Sequence, residues 1–327
     1  MVRPRSETRS VEAPTLRASD APLPESEIVA FAEHVNRELE EPFLPAILDG
    51  RHTADATFWA FRAFVHGRLV ATAWSGFAKA FPSVAVLAGV VTSSRYRRRG
   101  LARRLCEEAV RRFRSRGEGA LYLAAASEEA HRLYVRLGFK TIAGHAMVLE
   151  TPGHDRLAGF ASGLCVGSRP ANWGDISRAV PLFLWPHDCV MADAASGFCS
   201  TRVAPPVRCV GIFWNIWRAS VAAGGCWRVL ENEVGTVVGS AVAAPTAGAM
   251  EADFVWHPHY EAEGRRFLRD FLDDAHARFG REVRILACEG DAWKKREAVR
   301  AGFAAERHSG RAAKIGNESR PLMTFSA

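Results

Sequence analysis

The sequence predicts an α/β protein made of two tandem copies of one fold, each a central mixed β-sheet flanked by α-helices. Three observations point there. The chain has 327 residues, about twice an ordinary domain. Residues 83–150 alternate apolar runs of strand length with amphipathic helical periods, which is the order of an α/β layer. A shift of 164 residues also lays the second half over the first: Tyr96 meets Tyr260, Gly100 meets Gly264, and Gly138-Phe139 meets Gly302-Phe303. Thirty-eight residues separate the paired glycines in both halves, so we infer an internal duplication.

Residues 1–12 carry charge with no following apolar stretch and read as a mobile tail, not a secretory signal. A first domain is expected over 13–152. It opens with a short strand at Thr15-Leu-Arg-Ala, then a helix over Glu25 to Leu39 with Ile28, Phe31, Val35 and Leu39 at helical spacing. Phe58 to Trp74, broken at His66-Gly67, reads as a hairpin. Ser83 to Thr92 is a continuous apolar run, as in a central strand buried on both faces. A basic loop follows, and from Gly100 the period becomes 3.6, with Leu101, Leu105, Ala109 and Phe113 on one face of a helix ending at Gly117. Ala120 to Ala125 is the next strand, Glu128 to Leu137 the next helix, and Lys140 to Leu149 a last hairpin.

A linker is expected at 153–162 and a second domain over 163–327. Trp173 to Trp217 is rich in Trp, Phe, Pro and Gly and has no clear period. Beyond it come a hairpin from Trp227 to Ala241 around Gly235, a strand at Ala252 to Trp256, and a helix carrying Phe267, Leu268, Phe271, Leu272 and Ala275. A strand at Val283 to Ala287 and a short helix ending at Ala301-Gly-Phe303 complete the series.

No apolar run approaches the length of a membrane-spanning helix. Seven scattered cysteines (Cys106, Cys165, Cys189, Cys199, Cys209, Cys226 and Cys288), none spaced Cys-x-x-Cys, suit reduced thiols in a cytoplasmic protein. His257-x-His259 has no Cys or acid at ligand spacing beside it and reads as a pair of loop histidines, with no metal expected. The net charge of +7 comes mostly from arginine. Such a surface suits polyanions, which include nucleic acid and the phosphates of a nucleotide cofactor.

Arg97-Arg98-Arg99-Gly100-Leu101-Ala102 chooses between those polyanions. It joins a buried strand to an amphipathic helix, where unpaired N–H groups and the helix dipole attract an anion. Three arginines add full charge, while Gly100 and Ala102 let phosphates approach the main chain. A nucleic-acid reader would instead array arginines along an exposed face.

A second motif follows at the expected distance, Ala130-x-x-Leu133-Tyr134-x-x-x-Gly138-Phe139. Together with Val90-Val-Thr-Ser-Ser-Arg-Tyr96-Arg-Arg-Arg-Gly100-Leu-Ala102, it resembles the GCN5-related N-acetyltransferases (GNAT) over about residues 13–150. The resemblance implies an acyltransferase using acetyl-CoA or another acyl-CoA. In it Val90, Val91 and Thr92 would pair their main chain with the pantetheine arm as an added strand does. Main-chain N–H groups from Arg98 through Arg103 would hold the pyrophosphate, with Arg97, Arg98 and Arg99 supplying charge. Ser127 stands where the family often has Asn and could hydrogen-bond the cofactor with less reach. Tyr134 matches the family's general acid: a phenol of pKa near 10 can protonate a thiolate whose acid has a pKa near 8.5. The base is not evident; the candidates are a water or a residue of the first helical region, with Glu41, His66 and His145 considered.

The second half lacks these features. Glu261, Ala262 and Glu263 replace the three arginines, Arg266 replaces Ala102, and Ala298 replaces Tyr134. Two carboxylates there would repel a pyrophosphate. The expectation is a degenerate copy that packs on the first domain and helps wall an acceptor pocket, either through the aromatic-rich stretch from Phe183 and Trp185 to Trp217 or with those aromatics simply as core. The leading function is acetyl transfer to a primary amine of a small molecule. The alternatives are acetylation of a protein amine, or a non-catalytic effector- or nucleic-acid-binding module.

Overall fold

The computed structural model describes residues 13–189, 200–203, 210–315 and 318–326. The expected tail at 1–12, Cys199 and Cys209, and parts of the aromatic stretch lie outside those residues.

The first half opens with β1 (Thr15–Asp20), α1 (Glu25–Asn36) and α2 (Leu44–Leu48). α1 stops three residues before the expected Leu39 because Asn36 takes the Glu41 N–H on its side-chain oxygen at 2.7 Å and turns the chain. α2 was not expected from the sequence; five residues are too few to show a period. The hairpin forms as β2 (Ala56–Val65) and β3 (Arg68–Ala78), followed by β4 (Val84–Thr92). α3 (Leu101–Arg114) then buries Leu101, Leu105, Ala109, Val110 and Phe113. β5 (Ala120–Ala124), α4 (Glu128–Arg136), β6 (Lys140–Ala143) and β7 (Ala146–Glu150) complete it. The strands form one sheet in the order β1-β2-β3-β4-β5-β7-β6, in which only β4 and β5 run parallel.

The expected linker is an ordered connection. It contains α5 (Ala158–Ala161), whose Phe160 is buried against the rings of Trp185 and His257. β8 (Cys165–Pro170), α6 (Asp175–Arg178), α7 (Val180–Phe183) and α8 (Val210–Ala219) follow. β9 (Cys226–Asn232), β10 (Val237–Pro245), β11 (Ala249–Trp256), α9 (Glu261–Phe279), β12 (Glu282–Cys288), α10 (Ala292–Arg300), β13 (Ala304–Ile315) and β14 (Glu318–Ser326) build the second sheet. Its order is β8-β9-β10-β11-β12-β14-β13, again with a single parallel pair, β11 and β12.

The two sheets share strand order and direction element for element. Local geometry repeats as well: Gly138 and Gly302 end equivalent helices at φ 97° and 93°. The next N–H in each half, of Phe139 and Phe303, returns to the carbonyl of Tyr134 and of Ala298 at 3.0 and 3.1 Å. A glycine is needed at both places because an L side chain is strained in that left-handed region.

One face of the first sheet packs on α3, enclosing Phe61, Leu87, Leu105, Phe113 and Leu121. The other face carries Phe58, Trp74, Val86 and Val148 into a core continuous with Ile176, Phe213, Val229 and Phe254 of the second half. The halves therefore share one hydrophobic interior. Among the described residues no helix is long and apolar enough to cross a membrane.

Candidate active site

β4 and β5 pair only from Val84 with Ala120 to Val86 with Tyr122, although β4 runs on to Thr92. Past that point the strands diverge and the β5-facing edge of β4 is left without a strand partner. The divergence coincides with an extra residue in β4: Thr72 faces Val91 and Trp74 faces Ala88, so two residues of β4 oppose one of β3. Gly89 makes this bulge possible, at φ 60° and with the Trp74 ring where a Cβ would lie, 2.4 Å away. Thr72 Oγ1 donates to the Gly89 carbonyl at 3.1 Å. The Gly89 N–H reaches the Glu41 carboxylate, to which Trp74 Nε1 also donates at 2.8 Å.

Here lies a cavity of about 440 Å³ whose walls include Glu41, Gly89, Tyr134, Trp214 and Arg218. Burial raises the pKa of Glu41, and the two hydrogen bonds only partly offset it. Tyr134 is 4% exposed, reaches the cavity from α4 and leans on Phe139 with ring centroids 5.8 Å apart. Trp214 stands 5.4 Å from Phe43, centroid to centroid, and brings α8 against the first half.

The basic loop is built as an anion cradle. Arg98 and Gly100 both adopt left-handed backbone, at φ 61° and 74°, a conformation that turns successive N–H groups into one concavity. No side chain caps α3, and its first intrahelical donor is Arg104, bonded to the Gly100 carbonyl. The Leu101, Ala102 and Arg103 N–H groups therefore precede the ladder. A Cβ placed on Gly100 meets no atom within 4 Å, so the approach is open. The cradle and the β4 edge at Val90, Val91 and Thr92, which has no strand partner on the β5 side although the Val91 main chain meets His34 and the Thr92 carbonyl meets Arg97, fit the pyrophosphate and pantetheine arm of an acyl-CoA.

The side chains are less uniform than the motif implied. Arg97 is tied to Glu38 at 2.9 Å and to the Thr92 carbonyl, so its charge is largely compensated. Arg99 lies over the Tyr96 ring at 5.2 Å, and Arg103 pairs with Glu107 at 2.7 Å. Leu101 points into the α3 core and can offer only its main chain. Ser127 caps α4, its hydroxyl accepting the Ala130 N–H at 3.2 Å; its O–H remains able to donate.

The candidate bases separate. His66 sits in the exposed β2–β3 turn and His145 in the β6–β7 turn, bonded to the Ala125 carbonyl at 2.6 Å; neither lines the cavity, and Glu41 does. His257 is not the solvated loop histidine expected: it is 6% exposed, stacked on Phe160 at 4.5 Å, and burial lowers its pKa to about 4. The aromatic stretch divides too. Phe183 and Phe213 are core, whereas Trp214 lines the cavity.

In the second half the equivalent cleft is filled. β11 and β12 also part, after Ala252 and Ile285, but at the position of Gly89 stands Asp253 and at that of Ala130 stands Lys294. These two are buried and ion-paired. The Lys294 pKa is pushed down by burial, but the carboxylates of Asp253 and Asp291 overcome that and hold it above its ordinary value. Glu261 to Gly264, matching the cradle, are wound into α9. Trp256 packs where a Cβ on Gly264 would lie, 2.4 Å away.

Sequence reasoning missed Gly89 and Arg218, and held Trp214 only within the aromatic stretch as a whole. A glycine inside an apolar strand was the available sign of a bulge; Trp214 and Arg218 reach the site only through the packing of one half on the other.

A bulged, parted β4–β5 pair lies beside a helix-terminal anion cradle, the arrangement that the resemblance to acyl-CoA-dependent acyltransferases implies. Residues 23–139 match the acetyltransferase (GNAT) family, and this part of the chain is a GNAT acetyltransferase domain. Solved structures similar to the chain include a Vibrio cholerae spermidine N-acetyltransferase at 11% identity, covering 49% of this chain and 93% of that one with a TM-score of 0.36. A ribosomal-protein-S5-alanine acetyltransferase from Vibrio fischeri has 12% identity, 50% and 96% coverage and a TM-score of 0.37. A phosphinothricin acetyltransferase from Sinorhizobium meliloti has 14% identity, 50% and 87% coverage and a TM-score of 0.38. Comparison with curated proteins gives no match.

Proposed function

We propose that the protein transfers an acetyl group from acetyl-CoA to a primary amine of a small molecule, with one working site in the first half. The observation that carries this reading is the 440 Å³ cavity that places Glu41 and Tyr134 on its walls beside the open edge of β4. Acetyl-CoA supplies an activated thioester. The Arg98–Arg103 main chain binds its pyrophosphate, and Val90 to Thr92 align its arm. An ammonium must lose a proton before it can attack. Glu41, its pKa raised by burial, is a better acceptor for that proton than a solvated carboxylate. Tyr134 donates to the departing sulfur. α8 closes the acceptor side, which favours a small amine over a protein. The second half is a degenerate copy that walls the site and binds no acyl-CoA of its own.

Glu41→Gln should lower kcat roughly 10²–10⁴-fold, the span typical of a lost general base, and remove the acid limb of the pH profile. In the native protein that limb lies above the ordinary carboxylate range, because the base works only when ionised and its pKa is raised. Tyr134→Phe should lower kcat while acetyl-CoA affinity stays within a few-fold. A screen of amines read by thiol release tests the reading; full activity in both variants would refute these roles.

A further inference from the structure

We propose that the acceptor is an amine that also bears an acidic group, and that Arg218 of the second half binds that group while Glu41 meets the amine. The inference deepens the reading above and rests on it for the role of Glu41. α8 presents Val210, Gly211, Trp214, Asn215 and Arg218 to the cavity, one helical face over more than two turns. Trp214 meets Phe43 and makes an apolar wall. Four residues further, about 6 Å along the helix axis, Arg218 adds a guanidinium that makes no hydrogen bond or ion pair among the described residues. Glu41, held at the bulge by Trp74, lines the same cavity.

A cavity lined by a carboxylate, an uncommitted guanidinium and aromatic surface matches a zwitterion with an apolar body, such as an amino acid. A guanidinium takes a carboxylate through two parallel, charge-assisted hydrogen bonds. A plain amine leaves Arg218 unmatched, and a diamine brings a second positive charge against it.

The test uses the full chain with saturating acetyl-CoA and three matched pairs: phenylalanine with 2-phenylethylamine, leucine with 3-methylbutylamine, and lysine with cadaverine. Thiol release gives kcat/KM and calorimetry gives affinity. In at least one pair the acid-bearing member should be preferred by about tenfold or more, the scale of one charge-assisted contact. Arg218→Met should remove that preference mainly through KM, and Arg218→Lys should restore part of it. Acetyl-CoA affinity reports that each variant is folded. Equal use of both members in every pair, equal loss for both in Arg218→Met, or binding by neither member overturns the inference. A variant that weakens acetyl-CoA and leaves discrimination intact assigns Arg218 to the cofactor and also overturns it. Arg218-dependent binding of an amino acid with no thiol release would sustain the inference and refute acetyl transfer. Acetylation of plain amines without Arg218 dependence would do the reverse.

Discussion

The two halves set the same strands in the same order and then treat the gap between their parallel pair in opposite ways. In the first half Gly89 and Ala130 flank the gap and a cavity opens beside it; in the second half Asp253 and Lys294 occupy those positions and close it with a buried ion pair. The helix starts diverge in parallel. Gly100 turns left-handed and leaves the end of α3 uncapped, while Glu261 and Glu263 extend α9 by four residues relative to α3 and place their own carboxylates at its positive end. The second half thus supplies internally the negative charge that the first half leaves for a ligand. On the proposed reading, a fold common to both does not carry the activity; a few small residues left unfilled do.

The largest effect that could break this comparison is on the plug. Lys294→Met leaves Asp253 buried without its cation and should cost about 3–5 kcal/mol, read as a lower denaturation midpoint. Lys294→Met with Asp253→Leu should recover most of it. If the single substitution is neutral, the ion pair is not what closes the second gap.

Gly100 and Gly264 sharpen the comparison at one equivalent position. Gly264→Ala drives a methyl into the Trp256 ring and should cost roughly 1–3 kcal/mol by overpacking. Gly100→Ala has open space around it and pays only for its positive φ, about 1 kcal/mol. Equal losses in thermal unfolding would contradict the assignment of one glycine to packing and the other to backbone conformation.

The smallest effect concerns His187 and His257, both buried, with pKa values lowered to about 4 chiefly by burial. The unfolded chain binds these protons near pH 6.5. Their contribution to stability is therefore complete above that pH and is lost as the pH falls toward about 4. His257→Phe should keep the stack on Phe160 and flatten this acid loss in urea titrations; an unchanged slope would remove His257 from it.

Most of the first half was legible because its signals are local. β4 is a continuous apolar run, α3 has a strict stripe, and Arg97 to Ala102 is contiguous. The repeated glycine frame made the second sheet legible in outline, although β8 and the hairpin of β13 and β14 were not seen. β13 and β14 carry Arg, Glu, Lys and Ser through most of their length, so alternation gives no sign of them. The cavity was legible only in part. Tyr134 sits in a motif, but Glu41 gains its place from Trp74 and Gly89, and Arg218 from a helix that crosses to the other half. No spacing along the chain encodes such contacts.

Counting acetyl-CoA molecules bound per chain by calorimetry tests the central claim most directly. The account predicts one site, weakened at least about tenfold by Gly100→Glu, which sets a carboxylate in the cradle. Two sites per chain, or a single site indifferent to Gly100→Glu, would contradict it.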